Sequence, residues 1–256
     1  MTPTISVYAQ PSLVMPEEMA DGTVVVIDVL RATTTIMHAL EAGAEEVIPC
    51  IEVDDARSLA AQLPSRDVIL GGERNGLPIN GFHLGNSPRE YLGTQVVGKT
   101  VVFTTTNGTR ALNHARLARR ILIGAFVNAS AVFHELVGQE QIHLLCAGTN
   151  GRISYDDVLL AGMLTARLGQ QGGLIRELNA QAVTAQETWL GCFALPRTLG
   201  AEPLEPERLA AELRKSLGGQ NLANIGLEED ILAAAQIDVF SSIGKFDPKN
   251  GRIRLA

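Results

Sequence analysis

Carboxylates and arginines directly follow apolar segments of this sequence. Asp28 and Arg31 follow the segment VVVI, and Glu73 and Arg74 follow DVILGG. The polar run TTTNGTR, residues 104–110, follows VVF. Carboxylate oxygens are ligands that Mg²⁺ prefers, and a guanidinium pairs well with the oxygens of a phosphate or a carboxylate. These residue types predict a site for a phosphate or a similar tetrahedral anion, assisted by a divalent metal.

The run 104–110 offers several groups that bind an oxyanion. A glycine-containing turn between a strand and a helix exposes backbone N–H groups, and the start of the helix adds partial positive charge. Threonine hydroxyls add rotatable donors, so the turn from Thr104 to Gly108 predicts an oxyanion cradle. A second interpretation stays open, because Asn-Gly is also an ordinary turn and threonine is common in strands and at helix caps.

Asp28 is the strongest single candidate for a catalytic residue. A carboxylate that follows four β-branched residues lies on a backbone expected to be buried, so it needs a metal or a cationic partner. Arg31 can be that partner, which would make a plain structural ion pair. Glu73, Asp156 and Asp157 are further oxygen donors of the kind that Mg²⁺ prefers, although Asp156 and Asp157 also suit the first turn of a helix. Being adjacent, these two aspartates cannot face the same way.

A cysteine motif offers another phosphate chemistry. In CAGTNGR, Cys146 precedes Arg152 with five residues between them, the spacing by which cysteine phosphatases hold a thiolate under a phosphate. Cys146 is therefore a catalytic candidate, with a buried structural cysteine as the alternative. Among the histidines, only His83 is considered as a general acid, because the others stand in segments where packing explains them.

Six short apolar segments predict the strands that position these residues. They are apolar throughout instead of alternating, which is typical of buried parallel strands. The segments are residues 23–29, 45–50, 67–72, 99–104, 120–125 and 142–148. Helical spacing separates most of them and dominates after about residue 150. The predicted fold class is α/β: a three-layer α/β/α arrangement with a largely parallel central sheet and a helix-rich C-terminal half.

We expect one α/β domain over residues 1–256, with a soft boundary near residues 125–150 if it has two lobes. Ligands of open parallel sheets bind beyond the carboxyl ends of the strands, so the candidate residues should converge at one edge. The irregular, glycine-containing segment 71–93 is long for a loop in a compact domain, and its polar residues favour a function. The proline-containing segment 194–207 is predicted to be a surface connector between helices.

The composition limits the partners and the compartment. The chain has 21 Lys and Arg against 28 Asp and Glu, a formal net charge of −7, so we expect it to bind neither nucleic acid nor an anionic membrane. No window is long and apolar enough to span a bilayer, and the N-terminus does not resemble a secretory signal. The three widely spaced cysteines do not suggest disulfides, so a cytoplasmic protein is expected. A homodimer is the base-rate expectation for its assembly.

Four blocks of the sequence together resemble the 2-phosphosulfolactate phosphatase family, magnesium-dependent enzymes of coenzyme M biosynthesis. The blocks are VVVIDVLRATTTI, GGERNGLPINGFHLGNSPREY, TTTNGTRAL and CAGTNGRISYDDVLLAGML. The ending NLANIGLEEDILAAAQIDVF fits the family's closing helix, so the likeness covers most of the chain. Asn150 stands where relatives often carry an acid, which weakens a metal role there.

The resemblance implies hydrolysis of 2-phospho-3-sulfolactate to sulfolactate and phosphate, in an α/β fold with Mg²⁺. It implies that Asp28, with Glu73 or Asp157, holds the metal, and that Arg31 and a set of polar residues bind a small, multiply anionic, phosphorylated substrate. The expected substrate-binding residues are Arg74, Asn86, Ser87, Arg89, Thr105, Thr106, Asn107, Gly108, Thr109 and Arg110.

Two other functions compete with this interpretation. A related phosphatase of another small phosphorylated acid would keep the same blocks, and a non-catalytic sensor would bind phosphate or sulfonate without hydrolysis. A Rossmann dehydrogenase is disfavoured, because no Gly-x-Gly-x-x-Gly follows the first predicted strand.

Overall fold

A computed structural model describes residues 2–170, 176–193 and 204–256. The strands are β1 (Thr4–Tyr8), β2 (Thr23–Ile27), β3 (Glu46–Cys50), β4 (Val68–Arg74), β5 (Leu77–Pro78), β6 (Thr100–Thr104), β7 (Arg120–Gly124), β8 (Gln141–Cys146), β9 (Glu177–Leu178), β10 (Gly244–Asp247) and β11 (Arg252–Leu255). The helices are α1 (Ala32–Glu41), α2 (Val53–Ala61), α3 (Gly93–Val96), α4 (Gly108–His114), α5 (Ala129–Leu136), α6 (Tyr155–Gln170), α7 (Ala180–Phe193), α8 (Pro206–Leu213), α9 (Leu217–Asn224) and α10 (Glu228–Ala234). The strands form one sheet in the order β5-β4-β6-β3-β11-β10-β7-β2-β8-β1-β9.

Strand β2 shows why the apolar segments became central strands. All residues of Thr23–Ile27 are buried, and β2 pairs in parallel with β7 and β8. Val25 and Ile27 pack into an apolar cluster shared with α6 and α7, whereas Val24 and Val26 pack into another shared with α1 and α4. A strand covered on both faces has no polar side, so its sequence does not alternate. The predicted three-layer α/β/α arrangement with a largely parallel sheet is confirmed.

All six predicted strands are present, as β2, β3, β4, β6, β7 and β8. The C-terminal half is helix-rich, as expected. The segment 206–219, which has helical spacing throughout, is divided into α8 and α9. The break lies at Ser216, whose side-chain oxygen accepts the N–H of Gly219 at 2.9 Å and so caps the start of α9.

The last residues of the chain form an antiparallel hairpin inside the sheet, which the sequence analysis did not predict. Strand β10 pairs with β7, and β11 meets β3 at one register position, Ile253 opposite Val47. The carboxylate of Glu46, only 2% exposed, accepts hydrogen bonds from Arg252 and Arg254 of β11. The hairpin therefore connects the two parallel parts of the sheet by pairing with β7 on one side and β3 on the other. The buried Glu46 carboxylate holds β11 in place.

The sheet unites strands from both sides of residues 125–150, since β10 pairs with β7 and β11 with β3. Most of the predicted connector, residues 194–203, lies outside the described residues. In the described part of the chain, no helix combines the length and the apolar composition that crossing a membrane requires.

Candidate active site

A cavity of about 290 Å³ opens where the carboxyl ends of β2, β4, β6 and β8 meet α9. Its lining residues are Asp28, Leu30, Arg31, Glu73, Asn75, Gly76, Asn86, Thr105, Thr106, Asn107, Thr149, Asn150, Gly218, Asn221, Leu222, Asn224 and Ile225. Asp28, Glu73 and Asn107 were expected to converge from separate strand ends, and they share this wall. Strands β2 and β6 are not neighbours in the sheet. Asp28 and Asn107 are therefore brought together by the turns that follow these two strands.

Asp28 follows β2 directly and is 6% exposed. Its Oδ1 accepts the N–H of Ala32 at 3.1 Å, whereas Oδ2 accepts no hydrogen bond within the described residues. Burial raises the pKa of Asp28 to about 7, and the nearby Asp156 and Glu73 carboxylates add to this effect. The bond from Ala32 and the charge of Arg31 oppose it. Asp28 is thus a buried acid with one unsatisfied oxygen at a cavity.

Glu73 links two parts of the cavity wall. One carboxylate oxygen accepts the N–H of Gly76 at 2.7 Å, and the other accepts the N–H of Thr106 at 2.8 Å. Two buried side-chain atoms of the lining, Asn86 Oδ1 and Thr106 Oγ1, have no hydrogen-bond partner within the described residues. Unsatisfied buried polar atoms are rare in folded proteins, and two of the five such atoms in the described residues belong to the wall of this cavity.

The threonines after β2 are structural. The hydroxyls of Thr33, Thr34 and Thr35 donate to backbone carbonyls of Asp28, Val29 and Asn86, at 2.8 to 2.9 Å. They fix the start of α1 and the loop beside it. These three hydroxyls are used by side-chain to backbone hydrogen bonds, and the three residues do not line the cavity.

In the turn after β6, some residues fit the predicted oxyanion cradle and others fit the interpretation as an ordinary turn. Thr105, Thr106 and Asn107 line the cavity, and Asn107 Oδ1 accepts the N–H of Asn150 at 3.1 Å. The hydroxyl of Thr109 instead donates to the carbonyl of Thr105 at 2.8 Å and stays out of the cavity. The turn therefore contributes side chains to the wall, and part of its polarity holds the turn together.

Gly108 lies against Asp28 without lining the cavity. A methyl group added at this glycine would be 2.8 Å from Asp28 Oδ2 and 2.6 Å from the Cβ of Ala32. The lack of a side chain is what permits α4 to approach β2 this closely. Gly108 thus shapes the site through its size.

Arg31 forms an ion pair, but with Asp230 and not with Asp28. Its Nη1 lies 2.6 Å from Asp230 Oδ2, and its Nη2 donates to the carbonyl of Gly76 at 3.0 Å. Asp230 Oδ1 accepts the hydroxyl of Ser87 at 2.6 Å. Ser87 was expected to bind substrate, but its hydroxyl instead binds the carboxylate that holds Arg31. Of the described residues that line the cavity, Arg31 alone is cationic.

The structure does not bring Cys146 or Asp157 to the cavity. Cys146 ends β8 inside the apolar cluster under α6, and burial, with Asp157 and Asp156 nearby, raises the pKa of its thiol well above the ordinary value. A protonated thiol in the core is not a nucleophile, so the catalytic interpretation of Cys146 is corrected. Asp157 accepts the N–H groups of Val29 at 2.9 Å and Gly148 at 3.0 Å, so both of its oxygens hold the turns after β2 and β8.

Three of the four predicted arginines also lie elsewhere. Arg74 donates to the carbonyls of Glu73 and Ile51, and Arg89 and Arg110 are exposed away from the cavity. His83, the proposed general acid, accepts the N–H of Leu70 through Nδ1 at 2.9 Å and is likewise outside the cavity. A side chain beyond a strand end faces one side of the turn only, and the sequence does not fix which.

No group of three or more His, Cys, Asp or Glu residues suited to holding a metal ion occurs within the described residues. Of the three predicted ligands, Asp28 and Glu73 share the cavity, and Asp157 does not line it. The oxygen donors that the cavity brings together are two carboxylates, several side-chain amides and three threonine hydroxyls.

Helices α9 and α10 and the loop before β5 contribute residues to the site that the sequence did not indicate. Asn75, Asn221 and Asn224 line the cavity, and Asp230 holds Arg31. Asn221 and Asn224 are three positions apart on α9, which places them on one side of the helix. Their types and spacing carry no signature of a site, so only the fold identifies them.

Comparison with known proteins agrees with this architecture. The chain matches the family described as 2-phosphosulpholactate phosphatase over residues 8–249. It is 39% identical over 231 residues to a protein of Symbiobacterium thermophilum named probable 2-phosphosulfolactate phosphatase, covering 90% of this chain and 93% of the relative. A protein of the same name from Deinococcus radiodurans is 40% identical over 226 residues, which cover 87% of each chain. These similarities confirm the resemblance seen in the sequence: the chain belongs to the 2-phosphosulpholactate phosphatase family.

Proposed function

We propose that the chain hydrolyses the phosphate monoester of 2-phospho-3-sulfolactate, or of a closely related small phosphorylated hydroxy acid, with Mg²⁺. The observation that carries the proposal is the cavity wall, where the buried atoms Asn86 Oδ1 and Thr106 Oγ1 have no partner within the described residues and Asp28 Oδ2 accepts no hydrogen bond from them. An unmade hydrogen bond at a buried atom destabilises the fold unless a ligand completes it. The names of the relatives supply the substrate.

The donors of the cavity fit Mg²⁺. Asp28 and Glu73 supply carboxylate oxygens, and Asn86 supplies an amide oxygen, all of which are hard ligands. Two carboxylates face one arginine that is already paired with Asp230, so the wall by itself repels an anion. A divalent cation held by Asp28, Glu73 and Asn86 would reverse this repulsion. When bound, it would supply Lewis-acid polarisation of a phosphoryl oxygen.

The residues of the chain have separate tasks in this proposal. Arg31 binds oxygens of the phosphate, since a guanidinium matches their geometry. The hydroxyl of Thr106 and the amide of Asn107 orient the same group from the turn after β6. Asp28, with its open oxygen, is the residue at the reacting phosphorus. Its pKa is about 7 without a cation, and a cation in the cavity would favour the ionised carboxylate.

The proposal is tested by phosphate release from 2-phospho-3-sulfolactate and from phosphorylated hydroxy acids that lack the sulfonate. We expect hydrolysis that stops with EDTA and returns with Mg²⁺. Asp28→Asn should reduce turnover by roughly two to four orders of magnitude, whereas Cys146→Ala should retain the wild-type rate, because that thiol is outside the cavity. Mass spectrometry of acid-quenched enzyme distinguishes attack by Asp28, which adds a phosphoryl group, from attack by water.

Each contrary result has a defined meaning. Full activity in EDTA would remove the metal from the proposal, and a preference for acids without sulfonate would identify a related phosphatase. Tight phosphate binding without any hydrolysis would identify an anion-binding protein. Loss of activity in Cys146→Ala with unchanged folding would restore the thiolate interpretation.

The cytoplasmic location, the homodimer and the role in coenzyme M biosynthesis belong to the same proposal. The three cysteines are free, which suits a reducing compartment, and symmetric dimers are the commonest assemblies. Light scattering of the purified protein gives its mass in solution and tests the dimer directly.

A further inference from the structure

The carboxylate of Asp230 connects separate parts of the cavity wall. Its two oxygens accept hydrogen bonds of 2.6 Å, one from Arg31 and one from Ser87. Arg31 lines the cavity, and Ser87 follows Asn86, which also lines it. We infer that Asp230 is a positioning residue, which fixes the guanidinium of Arg31 and the segment of Asn86 to receive an anion; its kinetic consequences rest on the proposed function.

The pair is buried, so its geometry is well defined. Asp230 is 1% exposed and the side chain of Arg31 is 4% exposed. A guanidinium has five N–H donors, and the bonds to Asp230 and to the carbonyl of Gly76 use one each. The remaining donors are available to a ligand in the cavity. Asp230 does not line the cavity, so it acts on the ligand only through Arg31 and Ser87.

Asp230 also keeps Arg31 away from the other acids of the site. Asp28 and Glu73 share the cavity with Arg31, and each would attract its guanidinium. If Arg31 turned towards Asp28, its guanidinium would occupy the open Oδ2. The carboxylate would then neutralise the positive charge of Arg31, which a phosphate would otherwise meet. The 2.6 Å contact with Asp230 holds Arg31 away from Asp28 and leaves the Asp28 carboxylate available.

Helix α10 is suited to hold this carboxylate in place. Asp230 lies in its first turn, where the helix dipole stabilises negative charge. Its neighbour Ile231 and the helix residue Ala234 are buried in the apolar cluster that also contains residues of α6. Residues distant in sequence from Arg31 thereby set the orientation of the arginine.

The test compares Asp230→Asn with a matched control, Asp238→Asn. Asp238 also pairs with an arginine, Arg167, and binds Ser130, but it does not line the cavity or contact a residue that does. The dissociation constant of inorganic phosphate is measured by calorimetry with Mg²⁺, alongside kcat, KM and the unfolding temperature. Asp230→Asn should raise both the dissociation constant of phosphate and KM by roughly tenfold or more. The control should change each of these two constants by less than about twofold.

A double-mutant cycle separates positioning from general stability. In an Arg31→Lys background, Asp230→Asn should have little further effect on phosphate binding, because the group that it positions is already changed. Equal effects in both backgrounds would overturn the inference, as would a lowered unfolding temperature with wild-type phosphate binding. If Asp230→Asn does not fold, Ser87→Ala removes one of the two bonds to Asp230 and should weaken binding by roughly threefold.

The two proposals fail in different ways. A wild-type protein that binds phosphate but hydrolyses none of the substrates contradicts the proposed function, and the calorimetric cycle still decides the role of Asp230. A wild-type protein that binds no phosphate overturns the role of Asp230 as well.

Discussion

Replacing Asp28 by Asn should stabilise the metal-free protein above neutral pH while it greatly reduces turnover. Burial raises the pKa of Asp28 from 3.8 to about 7 in the folded protein. Between these values the folded protein keeps a proton on Asp28 that the unfolded chain releases. Since the folded state binds more protons, the free energy of unfolding falls as the pH rises through this window, and it is constant above it.

The size of the effect follows from the difference between the two pKa values. A difference of about 3 corresponds to about 4 kcal/mol lost from the wild-type protein once Asp28 is ionised in the fold. The amide in Asp28→Asn has nearly the same shape, can still accept the N–H of Ala32 and carries no charge. We expect this variant to exceed the wild-type free energy of unfolding by about 4 kcal/mol at pH 8, and to lie within about 1 kcal/mol of it at pH 4.

Urea denaturation in EDTA across this pH range measures the difference. The exposed Asp21→Asn variant is the control and should stay within about 0.5 kcal/mol of wild type. Added Mg²⁺ should reduce the advantage of Asp28→Asn at pH 8, because a cation in the cavity favours the ionised carboxylate. An Asp28→Asn variant that is less stable than wild type at pH 8, or whose difference does not change with pH, would refute the raised pKa.

Two further predictions concern the packing that supports the site. Gly108→Ala places a methyl group 2.8 Å from Asp28 Oδ2 and should lower kcat/KM by roughly tenfold or more, whereas Gly191→Ala, at an exposed helical position with no atom within 4 Å, should leave kcat/KM unchanged. Equal kinetics in both variants would contradict the close approach of α4. Glu46→Ala removes the buried acid under the C-terminal hairpin and should lower the free energy of unfolding by about 1 to 3 kcal/mol, measured in urea. A loss below about 0.5 kcal/mol would show that the hairpin is held by its strand pairing alone.

The sheet was predictable because its signal is local. A strand buried on both faces needs apolar residues at consecutive positions, and β2 contains them throughout. The C-terminal hairpin has no such signal, since Lys245, Arg252 and Arg254 interrupt its strands. Its place in the sheet depends on pairing with β7 and on the carboxylate of Glu46, which lies far away in sequence. Such non-local pairing cannot be predicted from the composition of a short window.

The site was predictable only in part for a related reason. Strand ends meet at one edge of a parallel sheet, so Asp28, Glu73 and Asn107 could be expected together. The direction of each side chain beyond the strand is set by its own turn, and Arg74 and Arg110 turn away from the cavity. The contribution of Asp230 depends on how the last helices pack, and no residue type near it predicts a contact with Arg31.

Three of the buried aspartates show what distinguishes a candidate catalytic acid from a structural one in this fold. Asp28, Asp156 and Asp157 are all buried, and burial raises the pKa of each. Both oxygens of Asp156 accept hydrogen bonds, from Ser154 and from the backbone of Leu30, and both oxygens of Asp157 accept backbone N–H groups. Each of these two acids therefore stabilises turns behind the cavity. Asp28 alone of the three lines the cavity and keeps an oxygen without a partner within the described residues, so burial destabilises its ionised form until a ligand arrives. The satisfaction of the oxygens, more than burial or sequence position, identifies the acid that is available for chemistry.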